Sequence, residues 1–422
     1  MKKIPYLLFS FVFLALTTSI WWEMIRFKVR MAFAAGIFCV FVFLMLYFAR
    51  YFRTKYFWML LLTSICFLIP GLEVSGSNFS TWIHSAPADL YLPFVCAGLL
   101  AYILINRDRK LLYVVLVIAF LFIIYTAYKT TLADTNASRH FAGNAQTIND
   151  LYIVAQNLEE SVMGYAHIHA LPFVMVGLIC VFRRGDKIWM KIAAVPVAFV
   201  CLYALIKSGY TTATICMGLT IVVSCINAKN RMISLIFLAL AFVVFVILVK
   251  TGIFLNILEV TVKPLLDPRS NLASKIDEFA AMQTTVNGSE YWNGRSYLYV
   301  WSFETFLSHP IFGAGKGSAG GHSYFIDLMA DYGLIYFIPY VIYYVMTFKF
   351  VYRALPKQVQ WYYLSACVSL SLLLLFKAKG LIAQHHIMCL VLPLMLVIRK
   401  EDFYQASDLM RRQFRLPPLG FR

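Results

Sequence analysis

The sequence predicts an all-α polytopic membrane protein, and three observations predict it. The 422 residues are 61% hydrophobic and only 14% charged, with mean hydropathy +0.74; a soluble domain carries about a quarter charged residues. Apolar runs of roughly the 20 residues needed to cross a bilayer recur from end to end. Basic clusters fall in alternate connections between those runs, as the positive-inside rule requires of cytoplasmic loops.

Taken in order, the runs predict about twelve transmembrane helices, near 5–22, 31–49, 57–73, 89–105, 111–128, 164–182, 188–207, 211–228, 232–250, 334–352, 358–376 and 387–398. The first run lacks a small-residue cleavage site and is followed by further runs, so it reads as a helix that stays. The basic clusters are Arg50-Arg53-Lys55, Arg107-Arg109-Lys110, Arg183-Arg184-Lys187, Lys229-Arg231, Arg353-Lys357 and Arg399-Lys400 with the tail Arg411-Arg412-Arg415. Placing them inside puts both termini in the cytoplasm. Arg26, Lys28 and Arg30 then fall outside, a single dissent against a summed bias.

Residues 1–250 thus hold nine helices with an outer loop near 129–163. Residues 251–333 form one large outer loop containing short helices, 334–398 three more spans, and 399–422 a basic cytoplasmic tail. In the large loop, Ile276 to Met282 reads as a short amphipathic piece. Tyr297 to Leu307, with Tyr299, Trp301, Phe303 and Phe306, reads as an aromatic helix at the membrane interface, where Trp and Tyr favour the headgroup level.

The net charge is +17. The membrane topology accounts for it, so no nucleic-acid partner is expected. All nine cysteines (Cys39, Cys66, Cys96, Cys180, Cys201, Cys216, Cys225, Cys367, Cys389) lie within or at the edge of apolar runs. There is no CxxC pair, so neither a disulfide framework nor a zinc site is indicated. They read as small apolar helix residues.

The chemistry is expected in the stretch from Gly288 to Tyr336, the longest polar segment of the chain. Arg295 follows Asn293-Gly294 and precedes the aromatic helix. A guanidinium near a helix N-terminus suits phosphate, which it can bind through two parallel hydrogen bonds; a solvated charge or a headgroup contact is the plainer role. His309-Pro-Ile-Phe-Gly-Ala-Gly-Lys-Gly-Ser-Ala-Gly-Gly321 holds five glycines in 13 residues. Glycine reaches φ > 0 and lets backbone approach a ligand closely, which nominates Gly313 and Gly315; a flexible turn is the alternative. No strand precedes the segment, so it is neither a Walker loop nor a dinucleotide fingerprint. His322 and Ser323 come next. Histidine titrates near neutrality and is suited to take a proton from a hydroxyl. Asp327 and Asp331, one and two turns on, could orient it, but a capping or solvated role ranks first for both.

Other candidates facing the same side are Lys207-Ser208-Gly209-Tyr210-Thr211, Arg139-His140, His167 and His169, and Lys377, Lys379, His385 and His386. Ionisable groups at span ends are functional candidates by default, although snorkelling explains many lysines equally well.

Arg295 after Gly294, the His309-Pro-x-x-Gly-x-Gly segment, and His322-Ser323 followed by nine residues, Gly333, two more and Tyr336 resemble the signature of the O-antigen ligase and O-antigen polymerase superfamily. Its members are bacterial inner-membrane glycosyltransferases of about a dozen helices with one large periplasmic loop. The motifs span some 50 residues, while hydropathy and loop placement agree over nearly the whole chain. The resemblance implies a multi-pass inner-membrane enzyme with its active site facing the periplasm. It would move a glycan from undecaprenyl pyrophosphate to an acceptor hydroxyl, with no metal, cofactor or nucleotide sugar. It carries Arg295 over as the pyrophosphate-binding residue and His322 as the group that activates the acceptor. Gly313, Gly315 and Ser323 belong to the same motifs.

One departure stands out. The superfamily has a second arginine in a Ser-Arg-Thr-like turn before a mid-chain span, and here Tyr210 occupies that place in Ser208-Gly209-Tyr210-Thr211. Lys207 is the candidate replacement for its charge, though lysine does not reproduce a bidentate arginine. The acceptor expected first is lipid A core, in lipopolysaccharide biosynthesis. A polymerase that lengthens an O-antigen or capsule glycan on its own carrier is the second reading, and a flippase or transporter the distant third. The transporter reading predicts charges or Pro/Gly-broken helices at mid-membrane and related halves, which the sequence does not display.

Overall fold

The computed structural model describes residues 54–74, 87–133, 162–225, 256, 258–265, 273, 276–277, 289–315, 317–376 and 382–416. The described residues are helical and contain no strand. The main helices are α1 (Lys55–Val74), α2 (Pro87–Ile105), α3 (Arg109–Leu132), the turn α4 (Tyr165–Ile168), α5 (Leu171–Arg184), α6 (Ile188–Lys207) and α7 (Thr211–Cys225). After them come α8 (Ser289–Ser308), α9 (Tyr324–Ala354), α10 (Lys357–Phe376), α11 (Ile382–His386), α12 (Leu392–Leu396) and α13 (Lys400–Gln413). The expected spans near 5–22, 31–49 and 232–250 lie outside the described residues, as do Arg139-His140, Lys377 and Lys379. In the large loop, Leu258–Val262 and Lys263–Leu265 form two short turns, and Lys263 pairs with Asp277. Most of the expected amphipathic piece beyond Asp277 is also outside.

Among the described residues, four helices are long and apolar enough to cross a membrane: α3, α6, α9 and α10. At 1.5 Å per residue, α3 spans roughly 36 Å against a hydrocarbon core of about 30 Å. The run near 164–182 differs from a single span. Its continuous helix, α5, is only 14 residues long, because Pro172 sits in its first turn, where a missing N–H costs nothing. The chain enters it through the separate turn α4. The last run carries a π-turn: α11 continues through Ile387–Val391 into α12 with helical backbone on both sides.

The bundle has one basic end. There the α2–α3 turn holds Arg107 at φ 54°, and Asp108 caps α3 by accepting from the Leu111 N–H at 3.0 Å. The amphipathic helix α13 lies across this end. Arg107 pairs with Asp408 at 2.7 Å, Arg184 with Asp402 at 3.0 Å, and Arg399 with Asp186 at 2.8 Å. Arg411 donates to the Ile105 carbonyl at 3.0 Å, and Gln413 to that of Phe350 at 3.3 Å. These last two bonds satisfy carbonyls near helix C-termini that have no partner within their own helix.

Antiparallel packing then fixes which turns share the other end. Ser224 hydrogen-bonds Ser365 at 3.0 Å and Thr220 bonds Ser369, while the Trp361 indole donates to the Val223 carbonyl at 2.9 Å. The C-terminus of α7 therefore meets the N-terminus of α10, which follows directly on the C-terminus of α9. The Lys207–Thr211 turn and the start of α9 consequently lie together, opposite the basic face.

At that opposite end α9 is broken. Gly333 adopts φ 64°, ψ −176° inside it, a region of backbone space essentially reserved for glycine. The Pro310–Gly315 loop fills the break with its own backbone. Ala314 and Gly315 N–H groups donate to the Ala330 and Asp331 carbonyls at 2.8 and 3.1 Å. The Pro310 and Ile311 carbonyls accept from Leu334 and Ile335 at 2.9 and 3.1 Å. Tyr332, Tyr336, Tyr340 and Tyr344 form a row across the break at 5.3, 5.6 and 6.0 Å, Tyr332 meeting Tyr336 edge-on and the later pairs stacking. The Tyr324 hydroxyl donates to that of Tyr340 at 3.1 Å.

A Cβ at Gly333 would lie 2.2 Å from the Ile311 carbonyl oxygen, whereas one at helical Gly218 would meet nothing within 4 Å. Gly333→Ala is expected to destabilise the protein by at least about 1–3 kcal/mol, the cost of a non-glycine residue in this backbone region. Gly218→Ala is expected to be neutral or stabilising. Thermal unfolding of the two variants in detergent checks both expectations.

Candidate functional site

The candidate site is built on α8 and on the segment that leads into α9. One face of α8 is turned to that segment. Ser302, 1% exposed, directs its hydroxyl to Asp327 Oδ1 at 2.8 Å, with the Leu298 carbonyl as a second acceptor at 3.0 Å. Its oxygen accepts the Gly320 N–H at 2.8 Å. One turn earlier, the Tyr299 ring lies 6.4 Å from the His322 ring. A Cβ at Gly320 would meet the Leu298 carbonyl oxygen at 2.4 Å, so only glycine lets the loop pass this close to the helix. Arg295 lies in the first two turns of α8. Residues 295, 299 and 302 have i, i+4, i+7 spacing, so the Arg295 position belongs to the face that meets His322.

Ser323 starts α9 as its N-cap, accepting from the Ile326 N–H at 3.4 Å. Asp327 returns the bond: its Oδ2 accepts the Ser323 N–H at 3.1 Å. The pair forms a reciprocal cap of the kind that satisfies orphan N–H groups at a helix start. Asp327 belongs to the part of α9 before the Gly333 break, outside the apolar run that follows. Burial holds its carboxyl above the usual range. Hydrogen bonds from Ser302, Ser323 and Gly321, together with the nearby His322, pull against that rise. Asp331 accepts from the N–H groups of Gly317 and Ala319, both at 3.2 Å. Asp327 therefore carries the capping role ranked first for it, Asp331 instead anchors the glycine loop, and Asp327 also stands close enough to His322 for their charges to interact.

Gly313 and Gly315 have φ of 78° and 101°. A Cβ at Gly313 would lie 2.4 Å from the Asp331 carbonyl oxygen. The backbone that comes so near at Gly313 is this chain's own. His322 is half-buried beside this loop, and His309, at the end of α8, is exposed.

Lys207 and Tyr210 form a second group at the same end of the bundle. Lys207 Nζ donates to the Thr131 carbonyl at 2.7 Å, placing its charge at the C-terminus of α3, where the helix dipole favours a cation. Tyr210 is buried and packs edge-on against His169 at 5.0 Å. His167 lies near Phe122, at 6.1 Å between rings. His385 and His386 are buried inside the bundle, with His385 edge-on to Tyr344 at 5.6 Å.

Ser302 was the residue missed from sequence. Its signal was present: it is the hydroxyl at i+7 from Arg295 and i+3 from Tyr299, on a helix otherwise read as aromatic.

The chain matches no family model, and no curated protein matches it. The resemblance to the O-antigen ligase and polymerase superfamily rests on the motif residues themselves.

Ser302→Ala removes the donor to Asp327 and the acceptor for Gly320. It is expected to cost about 1–3 kcal/mol, the penalty for leaving buried polar groups without partners. Asp327→Asn should cost a similar amount. Because the two side chains share one bond, the double variant should cost less than the sum of the singles. Thermal denaturation of the three proteins measures that coupling.

Proposed function

We propose that the protein is a glycosyltransferase of the bacterial inner membrane, with about twelve spans and with the α8–α9 site facing the periplasm. It moves a glycan from undecaprenyl pyrophosphate to an acceptor hydroxyl, and the proposed acceptor is lipid A core. The observation that carries this reading is the packing of His322 against Tyr299, on the face of α8 to which the Arg295 position belongs. A proton-accepting imidazole and a guanidinium position are thereby gathered on one small unit at the non-basic end.

In this reading the acceptor oxygen attacks the anomeric carbon of the glycan. The bond from that carbon to the pyrophosphate oxygen breaks as the new glycosidic bond forms. His322 takes the acceptor's proton, a role that contributes roughly 10²–10⁴-fold. Arg295 neutralises the charge developing on the departing lipid pyrophosphate. Ser323, Asp327 and Ser302 hold the His322 segment against α8. Lys207 supplies a second cation at that end, held at a distance fixed by its bond to Thr131.

A polymerase uses the same donor and differs only in the acceptor, a growing glycan on its own carrier. A transporter draws support from one feature: the π-turn beside buried His385 and His386 lies within a helix inside the bundle. The break at Gly333 is less favourable to it. It leaves Leu334 to Ala354 as an unbroken apolar run of roughly 30 Å, long enough to cross alone.

Purified protein given an undecaprenyl-pyrophosphate-linked glycan separates these readings. Product on added lipid A core identifies a ligase, and a ladder of longer lipid-linked glycans without added acceptor identifies a polymerase. His322→Ala should lower either product at least about 100-fold. Arg295→Lys, which keeps charge but loses the bidentate fork, should lower it roughly 10-fold or more. An unchanged rate in His322→Ala removes the proposed mechanism. Absence of both products across several donors moves the transporter to the front.

A further inference from the structure

We propose that the arm formed by α8 and the following turn through Phe312 is seated in the lipid headgroup layer at the end of the bundle opposite the basic face. This is independent of the chemistry proposed above. Among the described residues, α8 meets the protein through the face of Leu298 and Ser302. The other face presents Tyr297, Val300, Trp301, Phe303 and Leu307 as exposed side chains. The turn continues that surface with Ile311, 59% exposed, and Phe312. A contiguous apolar surface of this kind marks an interaction site rather than ordinary solvent-facing surface.

The occupant is lipid because the surface is continuous with a membrane-facing stripe. On α9, Leu334, Ile338, Ile342 and Val345 are exposed, and their spacing of four, four and three puts them on one face of a helix long and apolar enough to cross. Ile311 joins the two surfaces. Its carbonyl turns inward to accept from the Ile335 N–H at 3.1 Å, while its side chain faces out beside the top of that stripe. The depth follows from the polar residues among the apolar ones. Glu304 and Ser308 are exposed on the outward face of α8, and a carboxylate there is tolerated at the headgroups but expensive in the hydrocarbon core. Trp301 and Tyr297 favour the same level. The Pro310–Phe312 turn is therefore two-sided: its backbone fills the break in α9 and its side chains enter the lipid.

The test places one nitroxide at a time on Trp301→Cys, Leu307→Cys and Phe312→Cys of the full chain in nanodiscs of phosphatidylethanolamine and phosphatidylglycerol. Collision with oxygen and with nickel-EDDA is read by power saturation. Ile338→Cys provides the lipid reference and Glu401→Cys, at an 84% exposed side chain, the water reference. The arm labels should be oxygen-accessible and nickel-shielded, with values between the two references. Values equal to those of Glu401 place the arm in water and overturn the proposal. Low collision with both reagents means that protein covers the arm, which overturns it equally. If a cysteine variant fails to assemble, Trp301→Phe gives a second reading. Lipids brominated near the headgroup should quench the wild type more than the variant, and equal quenching overturns the proposal.

Discussion

The non-basic end of this protein depends on a backbone exchange at Gly333. A broken helix exposes carbonyls on one side and N–H groups on the other, and each is costly wherever water is scarce. Here the Pro310–Gly315 loop supplies the missing partners on both sides. The exchange fixes the loop, and with the loop it fixes the start of α9, where Ser323 caps and His322 precedes it. The spacing from His322-Ser323 to Gly333 and Tyr336 has a structural meaning in these terms. It measures the short helix from its cap to its break, and then to the first tyrosine of the run below.

That account separates architecture from chemistry within one motif. Gly313, Gly333 and Gly320 each allow backbone to pass backbone at distances that a Cβ forbids. Asp327 and Asp331 direct their oxygens to loop N–H groups. Ser302 locks α8 to Asp327 and to the Gly320 N–H. In the proposed reading, His322 and Arg295 are the motif residues that carry the reacting groups. A rigid element under each is what a positioned acid–base group needs.

The helices were legible because continuous apolar composition is a strong signal: α1, α2, α3, α6 and α10 follow their apolar runs within a few residues, whereas α5 starts seven residues later and α9 ten residues earlier than the runs near 164–182 and 334–352. The interruptions were not legible. A glycine or proline inside an apolar run is compatible with an unbroken helix, so neither the Gly333 break nor the π-turn after His386 showed in the pattern. At the site, the capping by Asp327 was readable from Ser-x3-Asp spacing at a helix start, whereas the loop contact of Asp331 was not. Gly313 was readable as a positive-φ position, but what approaches it depends on the tertiary fold. Ser302 stayed hidden because one serine among aromatics looks incidental until its partner, 25 residues on, is folded against it.

The two ends of the bundle use charge in opposite ways. At the basic end Arg107, Arg184 and Arg399 meet Asp408, Asp402 and Asp186, and Arg411 meets a helix carbonyl. Three arginine–aspartate pairs there fasten α13 to the bundle, while Lys110, Lys187, Lys400 and Arg412 are exposed. At the other end the carboxylates of Asp327 and Asp331 are turned to backbone donors. An arriving phosphate would therefore find their charge already compensated in part by N–H groups. Lys207 is committed to the C-terminus of α3, where the dipole and the Thr131 carbonyl hold it, and to engage a phosphate it must keep or exchange that bond. The substitution of Tyr210 for arginine is consistent with the same division. Its ring serves the packing around His169, and in the proposed reading anion recognition falls to Arg295 on α8.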